Sequence, residues 1–124
     1  MGLDMFAYTF NGKTESEVDF DTNNVTETTE IAYWRKHPNL HGWMEQLYYE
    51  KGGKDDSFNG SNVVLTKDDL DSLEQDIIDG TLPDTSGFFF GKSDGSEQNE
   101  DLEFIAKARE AIEEGKIVYY SSWW

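Results

Sequence analysis

A chain of 124 residues with an aromatic share of 15% has the length and the large side chains for one domain around one core. Twenty-six acids against ten lysines and arginines give a formal net charge of -16, which excludes unaided binding to nucleic-acid backbones or anionic membranes. Zero cysteines exclude disulfides, thiolate metal sites and cysteine nucleophiles together, a pattern that fits a reducing interior.

The N-terminus, Met1 to Met5, has neither the basic start nor the apolar run of a signal peptide. Phe6 stands where a myristoylation motif wants Ser or Thr, with Ala7 just past it. No stretch approaches the roughly 18 apolar residues of a membrane span. The expectation is a soluble protein of the cell interior.

Leu3 to Phe10 alternates with a two-residue period, Phe6, Tyr8 and Phe10 on one side and Leu3, Met5 and Ala7 on the other. Apolar residues on both sides predict a central strand buried on both faces. Residues 14–30 are acids, Thr and Asn with only Val18, Phe20 and Val25 to bury, and read as an acidic surface loop or a ragged edge hairpin. Ile31 to Trp34 is predicted extended. His37 precedes a proline and is pushed off the helical region, so a helix starts at Asn39 or just before it, with Asn39 as N-cap. Leu40, Trp43, Met44 and Leu47 stand at helical spacing, and Gly52-Gly53 ends the element. Asn62 to Leu65 is a short apolar strand. Thr66 with Asp69 then forms a capping box for a helix burying Leu70, Leu73 and Ile77 and stopping at Gly80. A third helix turns Leu102, Ile105, Ala108 and Ile112 inward and stops at Gly115. The closing Ile117 to Trp124 is β-rich, with Tyr119 and Trp123 as core residues. Strands at both ends with helices between them predict a single α+β domain, mainly an antiparallel sheet with about three helices packed on one face.

The best candidate site is the run Tyr33 to Trp43, which gathers two fixed cations, both histidines and three large aromatics in an otherwise acidic chain. Arg35 offers a planar fork for a phosphate or carboxylate, Lys36 a point charge, and the following helix start its free amides. Trp34 and Trp43 supply flat faces for a base or sugar, and His41 sits beside the helix's positive end. The competing structural account is simple: the tryptophans are core, the cations pair with the abundant acids, and His41 caps or lies on the surface. Ser86-Gly87, before Phe88-Phe89-Phe90-Gly91, brings hydroxyl and flexible backbone but matches neither a P-loop nor a dinucleotide pattern. Ser121 or Ser122 adds hydrogen bonding. The metal expectation is none. Asp19, Asp21, Asn23, Val25, Glu27 and Glu30 fall at the ligand positions of a calcium loop, but Asn24 replaces its glycine and the flanks are not helical. His37 and His41 have a zinc-like i, i+4 spacing, which Pro38 between them interrupts.

Taken together, Met1-Gly2-Leu3-Asp4-Met5, Tyr33-Trp34-Arg35-Lys36 with Leu40-His41-Gly42-Trp43, Ser86 to Gly91 and Tyr119-Tyr120-Ser121-Ser122-Trp123 resemble a family of small uncharacterised proteins common in tailed phages, including those of cyanobacteria. The resemblance spans the chain and implies a phage accessory protein working in the host cytoplasm. No activity or cofactor comes with it. Three functions follow as expectations: capture of a small anionic or nucleotide-like ligand through Trp34, Arg35, Lys36, His41 and Trp43, with Ser86, Gly87 and Ser121 in support; docking of the acidic surface on a basic host protein, as an inhibitor or nucleic-acid mimic; or catalysis with His41 as general acid or base.

Overall fold

The structure, a computed structural model, describes residues 3–11, 18, 26–35, 37–54, 61–83 and 98–123. Its elements are β1 (Asp4–Asn11), β2 (Thr26–Arg35), α1 (Pro38–Glu50), β3 (Asn62–Leu65), α2 (Lys67–Asp79), α3 (Gln98–Glu113) and β4 (Ile117–Trp123). The four strands form one antiparallel sheet in the order β2-β1-β4-β3. The first and last strands therefore lie side by side at its centre, and the three helices complete a single small α+β domain.

The two faces of the sheet have different partners. Leu3, Met5 and Ala7 at the start of the chain, with Val118 and Tyr120 of β4, share a core with residues of all three helices, including Leu40, Met44, Leu70, Leu73, Phe104 and Ile105. Each such side chain removed from water contributes about 1.5–3 kcal/mol. Among the described residues the opposite face carries a smaller cluster of Phe10, Val64 and Tyr119, joined by Tyr8 and Ile117. Both faces of β1 were expected to be buried, yet Phe6 and Tyr8 are only half-buried. Helices cover one side of the sheet, and among the described residues a line of rings lies along the other. Phe6 stacks on Tyr8 at 5.8 Å between centroids, and Tyr8 and Phe10 approach Tyr119 at 5.3 and 5.7 Å.

Residues 26–30, expected at the end of an acidic loop or edge hairpin, form the first half of β2. Tyr8, Thr9 and Asn11 pair there with Glu30, Thr29 and Thr26, through two register irregularities. Val18 makes an isolated bridge to Val63.

At the start of α1 the helix begins just before Asn39, as expected, and only the expected cap needs correcting. Pro38 occupies the first turn and His37 is the N-cap, with φ -109° and ψ 73°. A proline at this position loses no helical hydrogen bond and has its φ already set, so it begins the helix and does not break it. Asn39 lies inside the first turn. At the other end Gly52 has a positive φ of 96°, and a side chain on Gly53 would collide with the ring of Tyr48. Around α2 the capping box forms: Thr66 accepts from the Asp69 N–H at 3.3 Å, and the Thr66 N–H donates to Asp69 Oδ2 at 2.9 Å. Lys51 Nζ reaches the same carboxylate oxygen at 2.6 Å, which ties the end of α1 to the start of α2. Leu70, Leu73 and Ile77 are buried, and Gly80 closes the helix with φ 68°. In α3 the buried set is Asp101, Phe104, Ile105, Ala108 and Ala111. Leu102 and Ile112, expected inside, are half-buried at its margin, because the helix is rotated to put Phe104 against Trp34 at 5.0 Å. Among the described residues no helix is long and apolar enough to cross a membrane.

Candidate functional site

The candidate residues of the Tyr33 to Trp43 run divide between opposite faces of the sheet because a strand alternates its side chains. Trp34 points under the helices and is 3% exposed, whereas its neighbours Tyr33 and Arg35 are exposed on the other side. Tyr33 donates its hydroxyl proton to Asp4 Oδ1 at 2.8 Å. That bond pushes the Tyr33 pKa up, with nearby Arg35 acting in the opposite direction. Arg35 pairs in register with Asp4 across the strands, so the fork expected to grip an anion already stands beside a carboxylate. Lys36, Ser86 and Gly87 lie outside the described residues, as do Asp19, Asp21 and Asn23 of the calcium-loop match.

Trp34 and Trp43, both buried, are each held through the indole N–H by a carboxylate that the sequence did not single out. Trp34 Nε1 donates to Asp101 Oδ1 at 2.9 Å, while His37 Nε2 lies 2.9 Å from Asp101 Oδ2. Asp101 is 2% exposed and stands in the first turn of α3, where the free amides and helix dipole favour a negative charge. One acid thus joins β2, the start of α1 and the start of α3. Trp43 Nε1 donates to Asp76 Oδ2 at 2.8 Å, and Asp76 Oδ1 accepts from the Thr81 hydroxyl at 3.0 Å. The signal for Asp101 was present in the pattern. It occupies the first position of the inward stripe Asp101, Phe104, Ile105, Ala108, Ala111, where an apolar residue is the rule. For Asp76 there was no such signal among so many acids.

His41 is fully buried, neither capping nor on the surface. Its Nδ1 lies 2.7 Å from the Tyr120 hydroxyl and 3.3 Å from Ser122 Oγ. Burial pushes its pKa down to about 4, so the ring is neutral near pH 7. Burial also raises the Tyr120 pKa, against a hydrogen bond from Ser122 that lowers it, with the Glu45 charge adding to the rise. The inward serine of β4 is therefore Ser122, 2% exposed, while the candidate Ser121 is half-exposed and pairs with Phe6 and Asn62 toward the other face. A serine hydroxyl near a histidine nitrogen has the composition of a nucleophile and its base. Here, however, the same nitrogen is shared with a closer tyrosine, and all three groups are sealed beneath α1. What the arrangement does is clamp α1 to the central strand.

Two surface grooves flank these networks. One of about 300 Å³ between α1 and α2 is lined by Trp43, Leu47, Glu50, Asp69 and Asp76 among others. The other, about 290 Å³, runs between β2 and α3 over Ile31, Ala32, Tyr33, Trp34 and Phe104, with Glu100, Glu103 and Lys107 beside them. Trp43 lines the first and Trp34 the second, so the two aromatic faces expected to stack one ligand open onto separate grooves. Among the described residues no group of three or more His, Asp and Glu side chains could hold a metal ion.

No protein family, no curated protein and no solved structure matches this chain.

Proposed function

We propose that the protein is an acidic interaction protein that docks on a basic partner. Following its resemblance to phage proteins, the partner is a host polypeptide and the setting the host cytoplasm. One observation carries this reading: the solvent side of α2 and α3 is acidic along its length. Asp68, Asp71, Asp79, Glu100, Glu103 and Glu110 are exposed there, against exposed Lys67 and Lys107. Arg109, half-buried between the helices, is spent internally, with Nη1 on Glu74 Oε2 at 2.8 Å and Nη2 on Asp71 Oδ1 at 2.6 Å. A surface of this kind steers a basic partner and repels acidic ones. Capture of a small anion asks Trp34, Arg35, His41 and Trp43 to converge, whereas two of these side chains are tied to internal carboxylates, one is sealed beneath α1 and Arg35 faces the other way.

The test is capture of the tagged chain from a host lysate at low and at moderate ionic strength, with native mass spectrometry of what accompanies it. The expected result is a stoichiometric basic polypeptide whose retention falls steeply with salt. A stoichiometric small anion retained at both ionic strengths, with no polypeptide, would overturn the docking reading in favour of a ligand pocket.

A further inference from the structure

The interaction reading leaves open which surface engages, and β2 offers one. The strand ends the sheet, and among the described residues nothing pairs with its outer side. An edge strand carries a row of unused N–H and C=O groups, which proteins ordinarily blunt with lysine, proline, bulges or a covering element. Among the described residues the blunting is confined to one half. The two register irregularities fall at Glu30 to Ala32 and between Thr26 and Thr29, whereas Ala32 to Arg35 pairs regularly with Ala7 to Asp4. That regular stretch contains neither lysine nor proline, and Arg35 is its only charged residue.

Three of these four residues, Ala32, Tyr33 and Trp34, border the groove between β2 and α3. Half-buried Ile31 and Ala32 supply its apolar floor, with Phe104 sealed behind them, and its helical wall carries the exposed carboxylates Glu100 and Glu103 beside Lys107. Apolar floor and acidic wall suit a side chain with an aliphatic stem and a cationic head, which lies along the apolar surface and presents its charge to the carboxylates. A second copy of this chain is a poor occupant, since two molecules of charge -16 repel.

We propose that the Ala32 to Arg35 edge of β2 and the adjoining groove receive an extended, lysine- or arginine-bearing segment of a protein partner, which adds to the sheet as a further strand. Backbone hydrogen bonds to the edge hold the segment, and alternate side chains enter the groove beside Glu100 and Glu103. This rests on the docking reading above and adds its site and the conformation of the partner.

The probe is a synthetic octapeptide alternating lysine with valine, titrated into the full chain and followed by amide NMR. Its control is the same peptide N-methylated at alternate residues, which keeps the charge and removes the backbone donors. The proposal expects the unmodified peptide to shift the amides of Ala32 to Arg35 and slow their hydrogen exchange. It expects binding about tenfold weaker for the methylated peptide and for the Glu100→Gln/Glu103→Lys variant, whose changes are both on the surface. Equal affinity for the two peptides, with shifts confined to the outer acids of α2, would overturn the edge while leaving charge-driven docking intact. Silence from both peptides alongside capture of a basic polypeptide from lysate would also overturn the edge alone. Silence in both experiments would remove the docking reading with it.

Discussion

His41 makes the stability of the fold depend on pH with a predictable sign and size. The folded protein keeps this ring neutral down to about 4, because a charge beneath α1 would lose its water. The unfolded chain takes up the same proton near the ordinary 6.5. Between those values the unfolded state binds more protons, so stability falls as pH falls. The gap of about 2.5 units corresponds to about 3 kcal/mol in all, of which about 2 kcal/mol is lost between pH 8 and pH 5. Other groups titrate nearby. Glu45, whose carboxyl is raised by burial, takes up a proton more readily when folded and acts in the opposite direction. The measurement is therefore a difference: urea unfolding of wild type and His41→Asn at about pH 8 and pH 5. The asparagine amide can still meet Tyr120 and Ser122, and whatever volume it leaves empty costs the same at both pH values. His41→Asn should be the less stable protein at the higher pH and should recover about 2 kcal/mol relative to wild type at the lower. A gap between the two proteins that stays constant across that range would show that the ring titrates normally in the folded state, and the argument from burial would be wrong.

Asp101→Ala removes the shared acceptor of Trp34 and His37 and leaves two buried polar groups to find other partners. The expected loss is about 3 kcal/mol in chemical denaturation, and a loss below about 1 kcal/mol would mean that water replaces the carboxylate. Ser122→Ala should cost about 1 kcal/mol and Ser121→Ala within about 0.5 kcal/mol by the same assay, an order that reverses if Ser121 is the inward serine. Gly53→Ala drives a methyl into the Tyr48 ring and should destabilise by about 1–3 kcal/mol. Combined with Tyr48→Leu it should cost less than the two single changes together, and simple additivity would place the strain elsewhere. Arg35→Ala, at an exposed position, should shift unfolding by less than about 1 kcal/mol.

By itself the sequence determined the elements whose cues are local. The Thr66 and Asp69 cap, the Leu70, Leu73 and Ile77 stripe and the Gly80 stop reappear unchanged, because capping and helical period act within a few residues. The alternation of β1, the short β3 and the closing strand were legible for the same reason. The α1 start fell just before Asn39 as expected, at Pro38, but the cap was misjudged, being His37 and not Asn39. Residues 26–30 carry too few apolar groups to decide between a loop and an edge hairpin, and their pairing with the far half of β1 is a tertiary event. The candidate cluster shared that limit. Nearness in sequence put Trp34, Arg35, His41 and Trp43 together, but strand alternation sends Trp34 and Arg35 to opposite faces, and the helix carries His41 and Trp43 to different neighbours. Only the tertiary structure could decide that Asp101, far along the chain, closes on Trp34 and His37, and that Ser122, not Ser121, meets His41. A buried hydrogen-bonding group is satisfied by whichever partner the packing brings within reach, and that partner is fixed by the fold as a whole.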